Sequence, residues 1–391
     1  MGLVEIFCAI CGCPLQGVEY DPDALPKEGT KWLKEFRVIG KTNFSVRISH
    51  GTSELNFNIS ALGSIPAGNG PYVDIEDTNG VSNAWRLGSG YGPWQVYEAD
   101  EIGTVLFPIH TACLSIIQHA LSWRKHQTPS ASSVMTMEDF YKVLCQQHER
   151  NSVATETMSP ETAAAFGLQG LEWEHGYYGA RQFWSQEWES EDQWEWLCAD
   201  PIKIPTLTSD ILSRLNPLPR ESHSATQETA LFSHTRITSQ HSPTPFLEEL
   251  PTEVLDHITS FLQTSSIIYL RRCSKTLAAR LPIGQKFWRE QILSGRLVGY
   301  LWDLDYDQCR QLALEEDEGM ANKAWDWNRL AKSLMRDYFN EPDLELSKGY
   351  TAEWQARLEN MNLKCKGDWV PGSIGLINRR RIWKIVQNMK L

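Results

Sequence analysis

Cys8, Cys11 and Cys13 stand together near the start of the chain, and His110 and Cys113 repeat the spacing of the first pair far along it. Thiolate and imidazole are the ligands that zinc prefers, and three of the first with one of the second make a closed tetrahedral site. Cys8-Ala-Ile-Cys-Gly12 has the shape of a knuckle, with two sulfurs placed to share an ion and a glycine that relieves the turn. His110 and Cys113 would supply the other two ligands, because residues three apart in the first turn of a helix lie on one side. The expectation is one structural zinc held by Cys8, Cys11, His110 and Cys113. Such a set leaves no position open for a reactive water, so it would clamp and not catalyse. Two alternatives stay open at this level. Cys13 could replace Cys11 or stay free, and the group could instead be buried reduced thiols with His110 bonded to a backbone carbonyl.

Other chemistry is harder to find. No Gly-X-Ser-X-Gly elbow, phosphate-binding Gly-Lys-Ser/Thr loop or His-Glu-X-X-His pair occurs. Gly88-Ser-Gly-Tyr-Gly92 is followed by Pro93 and Trp94, so it does not open a helix onto a phosphate and reads as a turn. The chain is therefore read as non-catalytic, with an enzyme of unrecognised type as the competing reading.

The elements that would position the metal ligands follow from hydropathy. From Phe36 to Phe107 short apolar runs alternate with Gly, Asn, Asp and Pro, which predicts antiparallel strands. After His110 the spacing of Ala112, Leu114, Ile116, Ile117, Ala120 and Leu121 becomes helical and ends before Thr128-Pro129. A second helix is predicted from Met137 to His148, and a third over Ala324–Met335 with Trp327, Leu330, Ala331, Leu334 and Met335 on one face. Leu171 to Asp200 holds five Trp among acidic residues, read as packing beneath an acidic surface in preference to a binding surface. Pro219 to Pro245 is polar and aperiodic and reads as linker.

Composition limits the partners. A chain of 391 residues with a formal charge of −12 suits several domains and lacks the excess of Lys and Arg that nucleic acid demands. No stretch approaches the roughly 18 apolar residues of a membrane span, and Met1-Gly-Leu-Val-Glu-Ile has no basic flank. Nine scattered cysteines do not make a secreted disulfide framework. The expectation is an intracellular protein of cytoplasm or nucleus, without nucleic acid or membrane as partner.

One further segment carries a signal. Leu250-Pro-Thr-Glu-Val-Leu-Asp-His-Ile-Thr-Ser-Phe-Leu262 places Pro251 at a helix start and Glu253 in its first turn, with Val254, Ile258, Phe261 and Leu262 on one stripe. Gln263-Thr-Ser-Ser266 breaks the helix and offers hydroxyl caps to the next, where Ile267, Leu270, Cys273 and Leu277 recur at helical spacing. So short a unit cannot bury its apolar groups alone, and a partner should cover the rest.

Leu250-Pro251, Glu253, Leu255, Ile258, Phe261-Leu262, Leu270, Cys273-Ser274-Lys275 and Phe287-Trp288-Arg289 resemble an F-box. The resemblance implies a three-helix unit that docks on a Skp-type adaptor and, through it, on a cullin carrying a RING ligase. Carried over by position, Leu250, Pro251, Ile258, Leu262, Leu270 and Trp288 would contact the adaptor. Leu277 departs from the aromatic residue common in the family, and Pro282-Ile-Gly-Gln285 lengthens the approach to Phe287. Cys8-Ala-Ile-Cys-Gly12, Pro108-Ile-His-Thr-Ala-Cys113, His175-Gly-Tyr-Tyr-Gly-Ala180 and Leu376-Ile-Asn-Arg-Arg-Arg-Ile-Trp383 resemble an F-box family of filamentous fungi, which implies no particular substrate.

The resulting expectation is a multidomain α+β protein. Residues 1–126 form a β-rich domain closed by a helix, 127–205 a helical and Trp-rich acidic region, and 206–246 a flexible linker. Residues 247–292 form the central three-helix F-box and 293–391 a mainly helical region. Its expected function is substrate receptor of a Skp/cullin/F-box ubiquitin ligase, with an F-box scaffold outside ubiquitination as the alternative.

Overall fold

The computed structural model describes residues 7–15, 27–41, 57–64, 74–75, 105–127, 135–155, 180, 195–218, 246–309, 311, 325–335 and 374–389. Strand β1 (Phe36–Lys41) is the hub of its sheet, rich in the β-branched and aromatic residues that suit a pleated buried surface. Along one edge it pairs antiparallel with β2 (Phe57–Ile59) and, through Phe36 and Gly63, with β3 (Gly63–Ser64), which carries β4 (Asp74–Ile75). Along the other it pairs with β5 (Phe107–His110), in the register Phe36 to His110 and Ile39 to Phe107. Every residue of β5 is buried. Among the described residues its outer edge meets no further strand, which suits Pro108, and the Pro108 carbonyl accepts the Ala9 amide at 2.9 Å instead.

Helix α1 (Thr111–Gln127) starts directly after β5, and all its expected apolar residues are buried. Helix α2 (Met137–Thr155) runs a turn or two beyond the expected end. Its start is fixed by a reciprocal cap, in which Asp139 Oδ2 accepts from the Thr136 amide at 3.0 Å and the Thr136 hydroxyl at 2.7 Å, while Thr136 Oγ1 accepts the Asp139 amide at 3.2 Å. These bonds, with Lys142, hold the Asp139 carboxyl down at about 2. A folded value below the unfolded one means stability present above about pH 4 and lost as pH falls through about 2. Asp139→Asn should remove this acid-side loss at the helix start, read by amide exchange of residues 137–140 against pH.

Short helices α3 (Glu195–Cys198) and α4 (Leu207–Leu212) follow. The linker expected over 206–246 therefore does not begin at 206. Leu207, Ile211 and Leu215 recur every four residues and are buried, and the Thr208 hydroxyl accepts the Asp305 amide at 2.8 Å. Residues 219–245 lie outside the described residues, as do Gly88–Gly92 and, apart from Ala180 and 195–200, the Trp-rich segment.

In the F-box-like segment a one-turn helix α5 (Phe246–Glu249) precedes α6 (Thr252–Ser260), α7 (Thr264–Cys273), α8 (Lys275–Arg280) and α9 (Gln285–Leu293). Pro251 is the residue before α6, as expected, and its carbonyl accepts the Leu255 amide. The expected second helix is divided. Ser274 takes an extended conformation and its hydroxyl accepts the Thr276 and Leu277 amides, which starts a new helix. Cys273 is consequently exposed, while Leu277 packs with Leu255 and Leu281. The hydroxyls of 264–266 do not cap α7, since Thr264 donates instead to Gln291 Oε1 at 2.8 Å.

Helix α10 (Trp327–Met335) buries Trp327, Leu330, Ala331 and Leu334, but Met335 is 45% exposed and leaves the expected face. Helix α11 (Ile374–Asn388) packs along α1 and α3. Gly299 makes this approach possible, for a Cβ there would meet Trp123 and Trp383 at 2.5 Å. Mixed α+β architecture is thus observed, and one buried cluster runs from Phe7 through β1, β5, α1, Trp288, Tyr300 and Trp327 to Met389. Among the described residues no helix is long and apolar enough to cross a membrane.

Candidate metal centre

The knuckle is built from backbone bonds before any ion is considered. Phe7 bridges Pro14, the Cys8 amide donates to the Cys13 carbonyl at 2.9 Å, and the Gly12 amide donates to the Cys8 carbonyl at 3.0 Å. Closing so tight a loop puts Gly12 at φ 71°, where an L side chain would be strained. The Ala9 bond to Pro108 docks this loop on β5, whose last residue is His110, and Cys113 follows on the first turn of α1.

The outcome is convergence of all four expected ligands. One ligand atom from each of Cys8, Cys11, His110 and Cys113 lies within 4.8 Å of every other, and all four residues are fully buried. In a tetrahedron with zinc–sulfur bonds of about 2.3 Å, neighbouring sulfurs sit about 3.8 Å apart, so a small contraction completes the geometry. The cluster could hold a metal ion. Cys13 lies outside it, with its sulfur 3.8 Å from the Leu197 carbonyl.

The imidazole is oriented for ligation. His110 Nε2 is 3.0 Å from the Leu33 carbonyl, which can only accept, so that nitrogen carries the proton. Nδ1 faces Cys11 Sγ at 3.3 Å, so it is the nitrogen that would ligate an ion once its own proton is displaced. The carbonyl bond belonging to the metal-free alternative is therefore present beside the ligand geometry, because the ring has two nitrogens. Trp32 holds the ring from the side at 4.8 Å and donates its own Nε1 hydrogen to the Cys198 carbonyl.

Electrostatics favour one thiolate even without an ion. Amides of Ile10 and His110 point at Cys8 Sγ at 3.5 and 3.4 Å, and that of Cys13 points at Cys11 Sγ at 3.5 Å. Burial pushes the Cys11 thiol up, but hydrogen bonds from Cys113, Cys13 and Cys8 and the charge of His110 outweigh it and hold the group well below its usual value. Burial pushes Cys13 and Cys113 up, and the neighbouring Cys11 adds to this. Burial would lower His110, yet Cys11 and Cys8 raise it to about 10. Without an ion the site favours a thiolate on Cys11 paired with an imidazolium on His110, whose proton stands where a metal cation would sit.

The six residues expected to meet an adaptor are not placed alike. Leu250 and Leu270 are half-buried against the small cluster of Leu255, Leu277 and Leu281. Ile258 and Leu262 are half-buried and Pro251 is exposed. Trp288 differs, because its side chain is buried in the main core and stands edge-on to Phe287, which removes it from a docking face. Among the described residues of 250–292 the exposed large apolar side chains are instead Val254 at 41%, Phe261 at 68% and Tyr269 at 63%. Val254 and Phe261 were legible as part of the α6 stripe, and Tyr269 was not. No family model, no curated protein and no solved structure matches this chain.

Proposed function

We propose that this chain is the receptor subunit of a Skp/cullin/F-box ubiquitin ligase, docking its adaptor through α6 and α7. The reading rests on the motif Leu250 to Arg289, and the observation that carries it is the exposure of Val254 and Phe261 on one side of α6. The small cluster of Leu255, Leu277 and Leu281 leaves both side chains open, and a partner's apolar face would cover them. Recognition of the protein to be modified falls to other surfaces of the chain, since a docked adaptor covers this one.

Val254→Asp with Phe261→Asp should cut capture of the adaptor by more than tenfold, as expected for two interface anchors of about 2 kcal/mol each, while leaving the buried residues of the fold untouched. Leu250→Ala with Pro251→Ala should weaken it as well. Affinity purification of the full chain reads both, and undiminished adaptor would end the docking assignment. Adaptor without cullin would favour a scaffold acting outside ubiquitination.

The second part of the reading is one structural zinc on Cys8, Cys11, His110 Nδ1 and Cys113. Zinc would replace the His110 proton and join the knuckle to β5 and α1.

A further inference from the structure

The deepest charged side chain near the metal centre comes from the far end of the chain. Arg381 of α11 is fully buried. Its Nη1 donates to the Cys11 carbonyl at 2.8 Å, its Nη2 to Cys13 Sγ at 3.5 Å, and its Nε to Asn378 Oδ1 at 3.1 Å. Asn378 is itself fixed, donating to the carbonyls of Leu197 at 2.9 Å and Ala199 at 2.8 Å. The Leu197 carbonyl also receives the Cys13 thiol. A closed ring of bonds therefore runs from the knuckle through α3 to α11 and back.

We propose that Arg381 is a positioning residue of the metal centre, supplying the counter-charge for a three-thiolate site and fixing the peptide that carries Cys11. The proposal rests on the zinc reading. Three thiolates and a neutral imidazole around a divalent ion leave one net negative charge, and burying it without an opposite charge is costly. A buried guanidinium has the mirror-image difficulty. Placing the two side by side relieves both. The planar fork is suited to the task because it spans a carbonyl and a sulfur at once, whereas an ammonium is a point charge on a flexible stem. Its bond to the Cys11 carbonyl also steadies the peptide leading into Gly12, the residue at positive φ, so that both knuckle sulfurs keep their aim.

The test is competition for zinc between the full-length protein and a chromophoric chelator. Arg381→Gln should weaken zinc affinity roughly 10- to 100-fold, the usual effect of losing a partner behind the ligands. Arg381→Lys, which keeps the charge, should restore part of it. Arg380→Gln removes the same charge from the same helix at a side chain that lies over Tyr300, and should leave affinity unchanged. If the parent binds zinc and Arg381→Gln matches it, or Arg380→Gln weakens it equally, the proposal is overturned while the zinc site stands. A parent that takes up no zinc overturns the metal reading and this one with it. A second measurement needs no variant: stripping zinc from the parent should raise amide exchange along 374–388, and unchanged exchange there refutes the link.

Discussion

Cys11→Ser should abolish zinc binding and with it the cooperative unfolding of the protein, whereas Cys13→Ser should keep one zinc per chain. Cys11 is the pivot of the cluster, since its sulfur faces His110 Nδ1 and its acidity is shaped by all three neighbouring thiols. Structural zinc is worth about 10–16 kcal/mol in small peptides, as much as the whole stability of an ordinary domain, so its loss is not a local event. The knuckle, β5 and α1 should loosen together. Cys13 contributes a buried thiol outside the ligand set, and its loss should cost about 1 kcal/mol. Elemental analysis and calorimetry of the full chain check both variants. Zinc retained in Cys11→Ser but lost in Cys13→Ser would reassign the ligand. The pH dependence has a definite sign. Metal uptake must displace the proton that His110 holds up to about 10, so binding should release protons and strengthen as pH rises toward that value.

Arg379→Met should destabilise the protein strongly, by about 3 kcal/mol, or about 4 °C in Tm for a chain of this length. Arg379 has no exposed side-chain surface, and every N–H of its guanidinium is used. Two donate to the Asp303 carboxylate at 2.6 and 2.8 Å, and the others to the carbonyls of Pro201, Ile202 and Tyr300. The group also lies 4.3 Å over Trp302, on which His119 stacks at 4.1 Å. Methionine fills the space but orphans three carbonyls. The Asp303 side chain is 34% exposed and can rehydrate, which keeps the loss at the low end for a broken buried pair. Adding Asp303→Leu should recover part of the loss, which distinguishes a stranded charge from a packing defect. Stability within 1 kcal/mol of the parent would show that the network is incidental.

Sequence reasoning reached the metal cluster because its ligands come in local pairs whose spacing is itself the signal, with a glycine where the turn demands one. It reached α1 and α10 through their apolar periods, and the division of α7 from α8 was hidden because a serine cap looks like any other polar residue. Nothing in the sequence marks Arg379, Arg380 and Arg381 as interior, yet all three are buried and Arg379 pairs with Asp303. A charged run ordinarily marks a solvated face, and the carbonyls that hold these three belong to residues far away in sequence. The same distance hid Trp288, whose burial depends on which surfaces meet it, and the Leu33 carbonyl that sets the His110 tautomer.

The bond from Arg381 to the Cys11 carbonyl joins residues 370 positions apart. At a synthesis rate of about 5–20 residues per second, the knuckle waits roughly 20 to 70 seconds for the helix that covers it. During that interval the thiols emerge before their lid exists, and Cys8, Cys11 and Cys13 are open to oxidation or to the wrong metal. Early capture of a metal ion by the cluster would shorten that exposure, and a stop codon ahead of residue 374 would strand a long polypeptide with its amino-terminal core uncovered. Such a product is a natural client for degradation, so late truncations should erase the protein from the cell and not merely trim it.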